Sequence, residues 1–293
     1  DNKGYKLQKV EPGDTTGSHY GLAVDVGTTT VVAQLVDLRT GRMLGVEGTH
    51  NMQAQYGEDV ISRMIYACRK DGSGLIPLQE AVVKNINDLI ETLVRRQGIQ
   101  REEIFAVTAA GNTTMSHLLL GLTPCSIRME PYVPTADAYP QILASEIGLQ
   151  GHPQGILETL PSVASYVGGD IVAGVISSGI AEQEAVQGLI DIGTNGEIVI
   201  GNSDWLVCCS ASAGPSFEGG GTTCGMRATR GAIEKVEIEE GRLSYQTIGN
   251  AAPRGICGSG LIDCIYELVK NGIIGYEGKF DRNRDDPRLA VEE

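Results

Sequence analysis

The sequence predicts an α/β fold made of two similar lobes around a cleft, and three observations carry that expectation. A strand-turn-strand unit occurs twice: Val24-Asp25-Val26-Gly27-Thr28-Thr29-Thr30 has its counterpart in Ile190-Asp191-Ile192-Gly193-Thr194-Asn195-Gly196. In both copies a Gly-Leu pair (Gly21-Leu22, Gly188-Leu189) leads an apolar strand into Asp-x-Gly-Thr, and an apolar run follows: Val31, Val32 and Ala33, then Ile198, Val199 and Ile200. Composition agrees, since aromatics are scarce at 5% while 39 of the 293 residues are glycine, which suits an α/β protein with many tight turns. One Asp-x-Gly-Thr alone is ordinary turn chemistry. Two in one register imply internal duplication, and so a pseudo-twofold pair of lobes with a cleft between them.

The hairpins suggest their own chemistry. Glycine permits unusual turn dihedrals and removes side-chain bulk, so backbone N–H groups and threonine hydroxyls can crowd around a phosphate while the aspartate faces a metal ion. Two such hairpins facing each other would clamp one polyphosphate.

In chain order, residues 1–18 are polar and rich in Gly and Thr, with no initiating Met, and are expected to be the remnant of a linker. Residues 20–26, 30–37 and 43–48 predict a three-strand meander whose second turn is Arg39-Thr40-Gly41-Arg42. The polar stretch 49–59 is expected as a loop that either faces a ligand or partner or is a solvated connection. It leads into a helix whose apolar side is Val60, Ile61, Met64, Ile65 and Cys68. A second helix is expected over 78–96, with Leu78, Val82, Ile86, Leu89, Ile90 and Leu93 on one face. Strand 104–108 follows, and Ala109-Ala110-Gly111-Asn112-Thr113-Thr114-Met115 opens a helix ending near Gly121. That strand-to-helix turn lies at a carboxyl edge, where open α/β sheets bind ligands. His117, inside this helix, is read as packing, and His19, His50 and His152 show no ligand spacing.

From 123 to 161 the prolines at 124, 131, 134, 140, 153 and 161 predict an irregular crossover with one short helix. The second lobe is expected to begin near Tyr166, where Gly168-Gly169-Asp170 caps a small-residue helix over 171–181. Asp170 is read equally as an acidic N-cap and as a group near the metal. After the second hairpin, residues 210–225 (SASAGPSFEGGGTTCG) predict a long loop, either approaching a ligand or forming a flexible lid. Residues 232–238 and 242–248 predict another hairpin around 239–241. Gly255-Ile256-Cys257-Gly258-Ser259-Gly260 opens a helix over 261–270, closed by Asn271-Gly272. The charged stretch 279–293 is expected to be an exposed loop.

The formal charge of −14, from 37 acidic against 23 basic residues, argues against an electrostatically bound nucleic acid. No apolar run reaches transmembrane length and no basic-then-apolar leader opens the chain, so no membrane partner is predicted and a soluble, cytoplasmic protein is expected. The seven cysteines lack C-x-x-C or ferredoxin spacing and are read as small buried hydrophobes in a reducing compartment, with neither zinc nor an iron–sulfur cluster in this chain.

Taken together, these motifs carry a family resemblance. The paired hairpins resemble the two phosphate motifs of the ASKHA superfamily of kinases, chaperone ATPases and actin, whose lobes are ribonuclease-H-like and actin-like. The helix from Asp170 falls where that superfamily has its first interlobe connecting helix. More narrowly, VDVGTTTVVAQLVDL, the segment with Asn51, Gln53 and Tyr56-Gly57-Glu58-Asp59-Val60, AAGNTTM, VGGDIVAG, DIGTNGEI, SAGPSFEGG and RGICGSGLID resemble the ATPase domain of the reductive activators of corrinoid proteins. The resemblance implies lobe I over 19–165 and lobe II over 166–293. It implies ATP-driven reduction of Co(II) to Co(I) in a corrinoid protein partner, with ATP and Mg²⁺ bound here and electrons coming from a [2Fe–2S] domain expected outside this chain.

In residues, it implies water-mediated Mg²⁺ binding by Asp25 and Asp191, with Asp170 orienting water or the metal shell. Phosphate contacts are expected from Gly27, Thr28, Thr29, Thr30, Gly193, Thr194, Asn195 and Gly196, and further nucleotide contacts from Gly258, Ser259 and Gly260. Family members continue into a glycine-rich adenosine motif and a second connecting helix; neither is read before Glu293, so lobe II is expected to lack its C-terminal part. A small-molecule kinase and a non-redox, nucleotide-switched protein-binding module are the alternatives. Homodimerisation is left open by the sequence.

Overall fold

A computed structural model describes residue 10 and residues 13–69, 72–193, 195–212, 215–218, 222–239 and 241–280, with the side chains of Ser212, Pro215 and Glu218 left aside. Most of the expected linker and of the charged C-terminal stretch lies outside these residues. The contacts divide the chain into two units. One takes the chain up to Ile190 together with Glu197–Ser210, and the other takes Asp191–Gly196 and the chain from Ala211.

The first unit is organised by a six-stranded sheet. β1 (Tyr20–Val26), β2 (Thr30–Asp37) and β3 (Arg42–His50) form the expected antiparallel meander, β3 running longer than predicted. α1 (Val60–Ala67) and α2 (Leu75–Gln97) follow, then β4 (Ile104–Ala110), which lies parallel to β1, and α3 (Thr113–Leu120). β5 (Ile142–Leu143) and β6 (Ile156–Thr159) complete the sheet in the order β3-β2-β1-β4-β6-β5, with β6 parallel to β4.

Strand alternation explains the layering. Leu22, Val24 and Val26 of β1, with Val31, Ala33 and Leu35 of β2, point to one face, where Leu78, Val82, Ile86, Leu89, Ile90 and Leu93 of α2 cover them. The predicted apolar face of α2 is therefore the buried one, each large side chain contributing about 1.5–3 kcal/mol. α2 stops where Gly98 turns left-handed (φ 67°) and its N–H closes on the Val94 carbonyl. Asp25, one residue out of phase with the buried series, lies on the other face and is exposed.

Four expectations need correction. The apolar side of α1 is rotated: Ile61 and Ile65 are exposed, whereas Arg63, Met64 and Ala67 are buried. The crossover contains strands β5 and β6 and two short 3-10 turns (Cys125–Arg128 and Ala144–Ile147) in place of one helix. Prolines bracket β6, and four residues are too few to show a period. The polar stretch 49–59 is only partly solvated: His50, Met52, Ala54, Gln55, Glu58 and Asp59 are exposed, but Asn51 and Gln53 are buried within the unit. Finally, the cysteines are not uniformly buried thiols. Cys68, capping α1, and Cys125, after α3, form a disulfide with Cα atoms 5.7 Å apart, and Cys209 and Cys224 are exposed.

His117 packs as expected. Its Nδ1 lies 2.7 Å from the Thr113 carbonyl, and its Nε2 accepts from the Ala136 N–H at 3.3 Å, so both ring nitrogens are used by the neutral tautomer. Burial pushes its pKa below the usual histidine value, outweighing the bond to Thr113. The unfolded chain then takes up this proton at a higher pH than the folded one. The contribution of His117 is complete above its unfolded pKa and is lost as pH falls toward the lowered folded value. Urea titrations between pH 7 and 5 should show a fall of up to about 1.4 kcal/mol per pH unit in that window, and His117→Phe should remove that component of the slope while lowering stability at pH 7.

α4 (Gly169–Ser178) begins two residues earlier than predicted and ends at left-handed Gly179, the chain closing the predicted span with a 3-10 turn, Ile180–Glu182. Ile171 of α4 packs with Val167 and with Val199, a residue of the next sheet. That sheet has the order β7-β8-β9, from β7 (Gln187–Ile192), β8 (Asn195–Gly201) and β9 (Leu206–Ser212). The predicted loop at 210–225 thus starts as a strand, and Pro215–Glu218 forms a 3-10 turn. In the second unit, β10 (Ala232–Glu239), β11 (Arg242–Thr247) and β12 (Gly255–Ile256) form the sheet β11-β10-β12, on which α5 (Gly258–Lys270) lies. Buried Glu267 anchors α5. Its carboxylate accepts from Lys270 (2.8 Å) and from the Ile238 N–H (3.0 Å), which hold its pKa below the usual value.

Candidate functional site

The carboxyl ends of β1, β4 and β6 lie side by side, and the residues following the first two were singled out by sequence. After β1 comes the hairpin Gly27 to Thr30. A Cβ on Gly27 would stand 2.6 Å from the Thr30 carbonyl oxygen, so the turn closes this tightly only over glycine. None of the hairpin glycines Gly27, Gly193 and Gly196 has the positive φ that only glycine adopts readily. Steric room, not backbone freedom, is what Gly27 supplies.

Asparagines the sequence had not marked as site residues brace this hairpin. Asn51 Nδ2 donates to the Gly27 carbonyl (2.8 Å) and the Asn51 N–H to the Thr29 carbonyl (2.9 Å). A trans peptide points its C=O and the next N–H in opposite directions, so the Thr28 and Thr30 N–H groups face away from Asn51. Asn112, the N-cap of α3, accepts from the Met115 N–H and donates through Nδ2 to Thr28 Oγ1 (3.0 Å). A threonine hydroxyl that accepts from Asn112 keeps its own proton for an external acceptor. The N-cap signal in Gly111-Asn112-Thr113 could have flagged Asn112.

The start of α4 closes on the same turn. A Cβ on Gly168 would meet Asn112 Cα at 2.4 Å, the Gly111 oxygen at 2.5 Å and the Thr113 nitrogen at 2.5 Å, all backbone. A Cβ on Gly111 would meet the Val26 oxygen at 2.6 Å. Glycines thus let the first hairpin, α3 and α4 approach at their ends. Gly168 is the N-cap of α4, and the Asp170 carboxylate, in the first turn, accepts from the Ile171 N–H at 2.8 Å. The N-cap alternative for Asp170 is therefore excluded. Helix N-termini and outward N–H groups favour an anion here.

The second hairpin is described by itself. Asp191 is exposed near the end of β7, and the Gly193 N–H donates to the Asn195 carbonyl at 2.9 Å; Thr194 lies outside the described residues. Among the described residues, a Cβ on Gly193 or Gly196 would find its nearest neighbour at 3.7 or 3.8 Å, ordinary contact. Gly27→Ala should therefore cost about 1–3 kcal/mol and distort the first turn, whereas Gly193→Ala should be nearly neutral in stability; thermal melts of the two variants check the contrast.

At the third predicted place, α5 opens with Gly258, Ser259 and Gly260. Cβ atoms on Gly258 and Gly260 would each stand 2.2 Å from a backbone oxygen, of Phe217 and Ile233. Both glycines are needed to seat the helix within its own unit. Ser259 Oγ lies 3.3 Å from Cys257 Sγ.

Among the described residues no three His, Cys, Asp or Glu side chains group as a metal site. Mg²⁺ held with phosphates needs only one or two carboxylates, often through water, and exposed Asp25 and Asp191 suit that role.

Residues 20–183 match the family model described as "RACo middle region", and residues 185–293 that described as "C-terminal domain of RACo the ASKHA domain". The chain belongs to the RACo family. The first of these matches spans the segment that the sequence reading gave to the first ASKHA lobe and the opening of the second. Among curated relatives, the corrinoid activation enzyme RamQ of Eubacterium limosum is 37% identical over 89% of this chain and 44% of its own length. The "[Co(II) methylated amine-specific corrinoid protein] reductase" of Methanosarcina barkeri is 26% identical over 75% of this chain and 41% of its own. A solved structure, "Reductive activator for corrinoid,iron-sulfur protein", matches with a TM-score of 0.85 and 50% identity over 92% of this chain and 43% of its own. This RACo-family chain therefore spans less than half the length of these relatives. Its α/β fold, with an ASKHA C-terminal domain, is that of the family, and among the described residues no helix is long and apolar enough to cross a membrane.

Proposed function

We propose that this chain is the nucleotide-handling part of a reductive activator that couples ATP to reduction of Co(II) to Co(I) in a corrinoid protein. The observation that carries this reading is the 50% identity, over 92% of the chain, to a reductive activator for a corrinoid, iron–sulfur protein. The braced Gly27–Thr30 hairpin supports it independently, because its outward N–H groups and free hydroxyl proton suit phosphate oxygens.

In this reading each hairpin grips phosphate oxygens through its backbone: Gly27, Thr28, Thr29 and Thr30 in one, Gly193, Thr194, Asn195 and Gly196 in the other. Asp25 and Asp191 hold Mg²⁺ through water; when bound, the ion neutralises phosphate charge. Asp170 orients a water for in-line attack on the γ-phosphate, a reaction that needs positioning and charge more than covalent help. Gly258, Ser259 and Gly260 add nucleotide contacts, beyond the packing duty the two glycines already have. The lobes are proposed as 19–165 and 166–293, with 1–18 as linker.

The nucleotide state then acts on the corrinoid partner only through differential affinity, since a ligand moves an equilibrium by no more than that. Electrons come, in this proposal, from a [2Fe–2S] domain outside these residues, and the setting is the cytoplasm. The test is to incubate the full-length protein, reduced, with a Co(II) corrinoid protein and follow Co(I) spectroscopically. Co(I) should form with Mg-ATP and not with Mg-ADP. Equal yields with either nucleotide would remove the coupling, and phosphorylation of an added acid or sugar would indicate a kinase.

A further inference from the structure

We propose that Arg63 is a positioning residue for the Gly27–Thr30 hairpin, acting through Gln53 and Asn51. The inference rests on the phosphate-binding reading of that hairpin. Arg63 is fully buried, and no carboxylate is hydrogen-bonded to it among the described residues. Its Nε donates to the Gly57 carbonyl (2.8 Å), and one terminal nitrogen reaches Gln53 Oε1 and Met115 Sδ (3.4 Å each), while the other has no partner. Desolvation pulls its pKa down to about 10, opposed by the charge of Asp59.

A cation kept in such a place is costly, and an apolar side chain would fill the volume with less penalty. What it holds is a buried polar relay. Gln53 Oε1 accepts from Arg63 and from Asn51 Nδ2 (3.2 Å), and Gln53 Nε2 donates to the Leu78 carbonyl (2.9 Å). Asn51 in turn holds the carbonyls of Gly27 and Thr29, which sets the direction of the Thr28 and Thr30 N–H groups. Asn85 of α2, also buried, fixes the start of the same segment by accepting from the Met52 N–H (2.8 Å) and donating to the His50 carbonyl (3.0 Å). The helix that carries Arg63 is itself pinned at its end by the Cys68–Cys125 disulfide. The relay therefore runs from a fixed helix, through three buried side chains, to the two carbonyls that orient the hairpin.

The test compares Arg63→Met with Leu149→Ala, a core truncation away from the relay, by amide hydrogen exchange on the 293-residue chain and Mg-ATP calorimetry on the full-length protein. Arg63→Met should speed exchange of the Asn51 N–H, which is bonded to the Thr29 carbonyl, tenfold or more and weaken Mg-ATP at least tenfold. Leu149→Ala should lower the melting temperature without either effect. Combining Arg63→Met with Asn51→Ala should weaken Mg-ATP no further than Asn51→Ala alone, as expected of one relay. Unchanged exchange of the Asn51 N–H, a uniform rise matched by Leu149→Ala, or additive affinity losses would each overturn the proposal. If Arg63→Met does not fold, Gln53→Met breaks the middle link and carries the same test. Failure of the wild-type full-length protein to bind Mg-ATP would remove the nucleotide reading, while exchange of the Asn51 N–H would still decide the relay.

Discussion

Asp25→Ala in the full-length protein is expected to cut Mg-ATP hydrolysis by about 10²–10³-fold, the scale of losing one preorganised electrostatic group at a phosphoryl-transfer centre. The fold should survive, because Asp25 is exposed on the sheet face away from the buried series of β1. Its melting temperature should stay within about 2 °C of wild type, in line with a surface change of a few tenths of a kcal/mol. Asp191→Ala should behave alike, since Asp191 is also exposed. A steady-state hydrolysis assay with melts on the same samples separates the two effects. Activity that persists in both variants would take the aspartates out of the reaction.

Gly168→Ala carries a large expected cost in stability. Its new methyl would meet three backbone atoms at 2.4–2.5 Å, and none of them is the flexible end of a side chain. Relief requires α3 and α4 to separate, at a cost of about 3 kcal/mol or more. That separation also moves Asn112 from Thr28 and Asp170 from the Gly111 carbonyl, its N–H partner at 3.4 Å. Denaturant titration should show the lost stability, and any folded remainder should bind Mg-ATP more weakly. Gly179→Ala, where no atom of the described residues lies within 4 Å of a new Cβ but φ is 68°, should cost less, about 1 kcal/mol, from backbone conformation alone.

The contrast between these glycines shows what a sequence discloses. The meander, α2 and the first Asp-x-Gly-Thr turn were legible because each has a strong period or a repeat, and burial enforces the period in β1, β2 and α2. β6 was not, because four residues between prolines show no period, and its place beside β4 comes from the sheet. The stretch 49–59 was read as ligand-facing or solvated because its side chains are polar. In the structure Asn51 and Gln53 satisfy one another and the backbone inside the unit, so polarity there marks an internal network. Arg63 was passed over for the same reason, since a charged residue at a helical position is ordinarily a solvated one.

At the candidate site, the first hairpin was foreseen as a strand-turn-strand unit and the turn at Gly111-Asn112 at a carboxyl edge, but the asparagine brace was not. Side-chain bonds between residues far apart in sequence, such as Asn112 to Thr28, leave no local pattern. The Gly-Ser-Gly of α5 was read toward nucleotide, and the structure gives its glycines a packing role that the motif alone could not separate from ligand approach. The disulfide was likewise hidden, because Cys68 and Cys125 meet only once α1 and the turn after α3 are in place.

The central claim is that this chain binds Mg-ATP through its two aspartate hairpins and passes that binding to a corrinoid partner. Its most direct test is calorimetric titration of Mg-ATP into the full-length protein, and into its Asp25→Ala and Asp191→Ala variants, each with and without a Co(II) corrinoid protein. The account predicts binding that weakens at least tenfold in either variant and shifts when the corrinoid protein is present. Tight binding that ignores both aspartates and the corrinoid protein would contradict it.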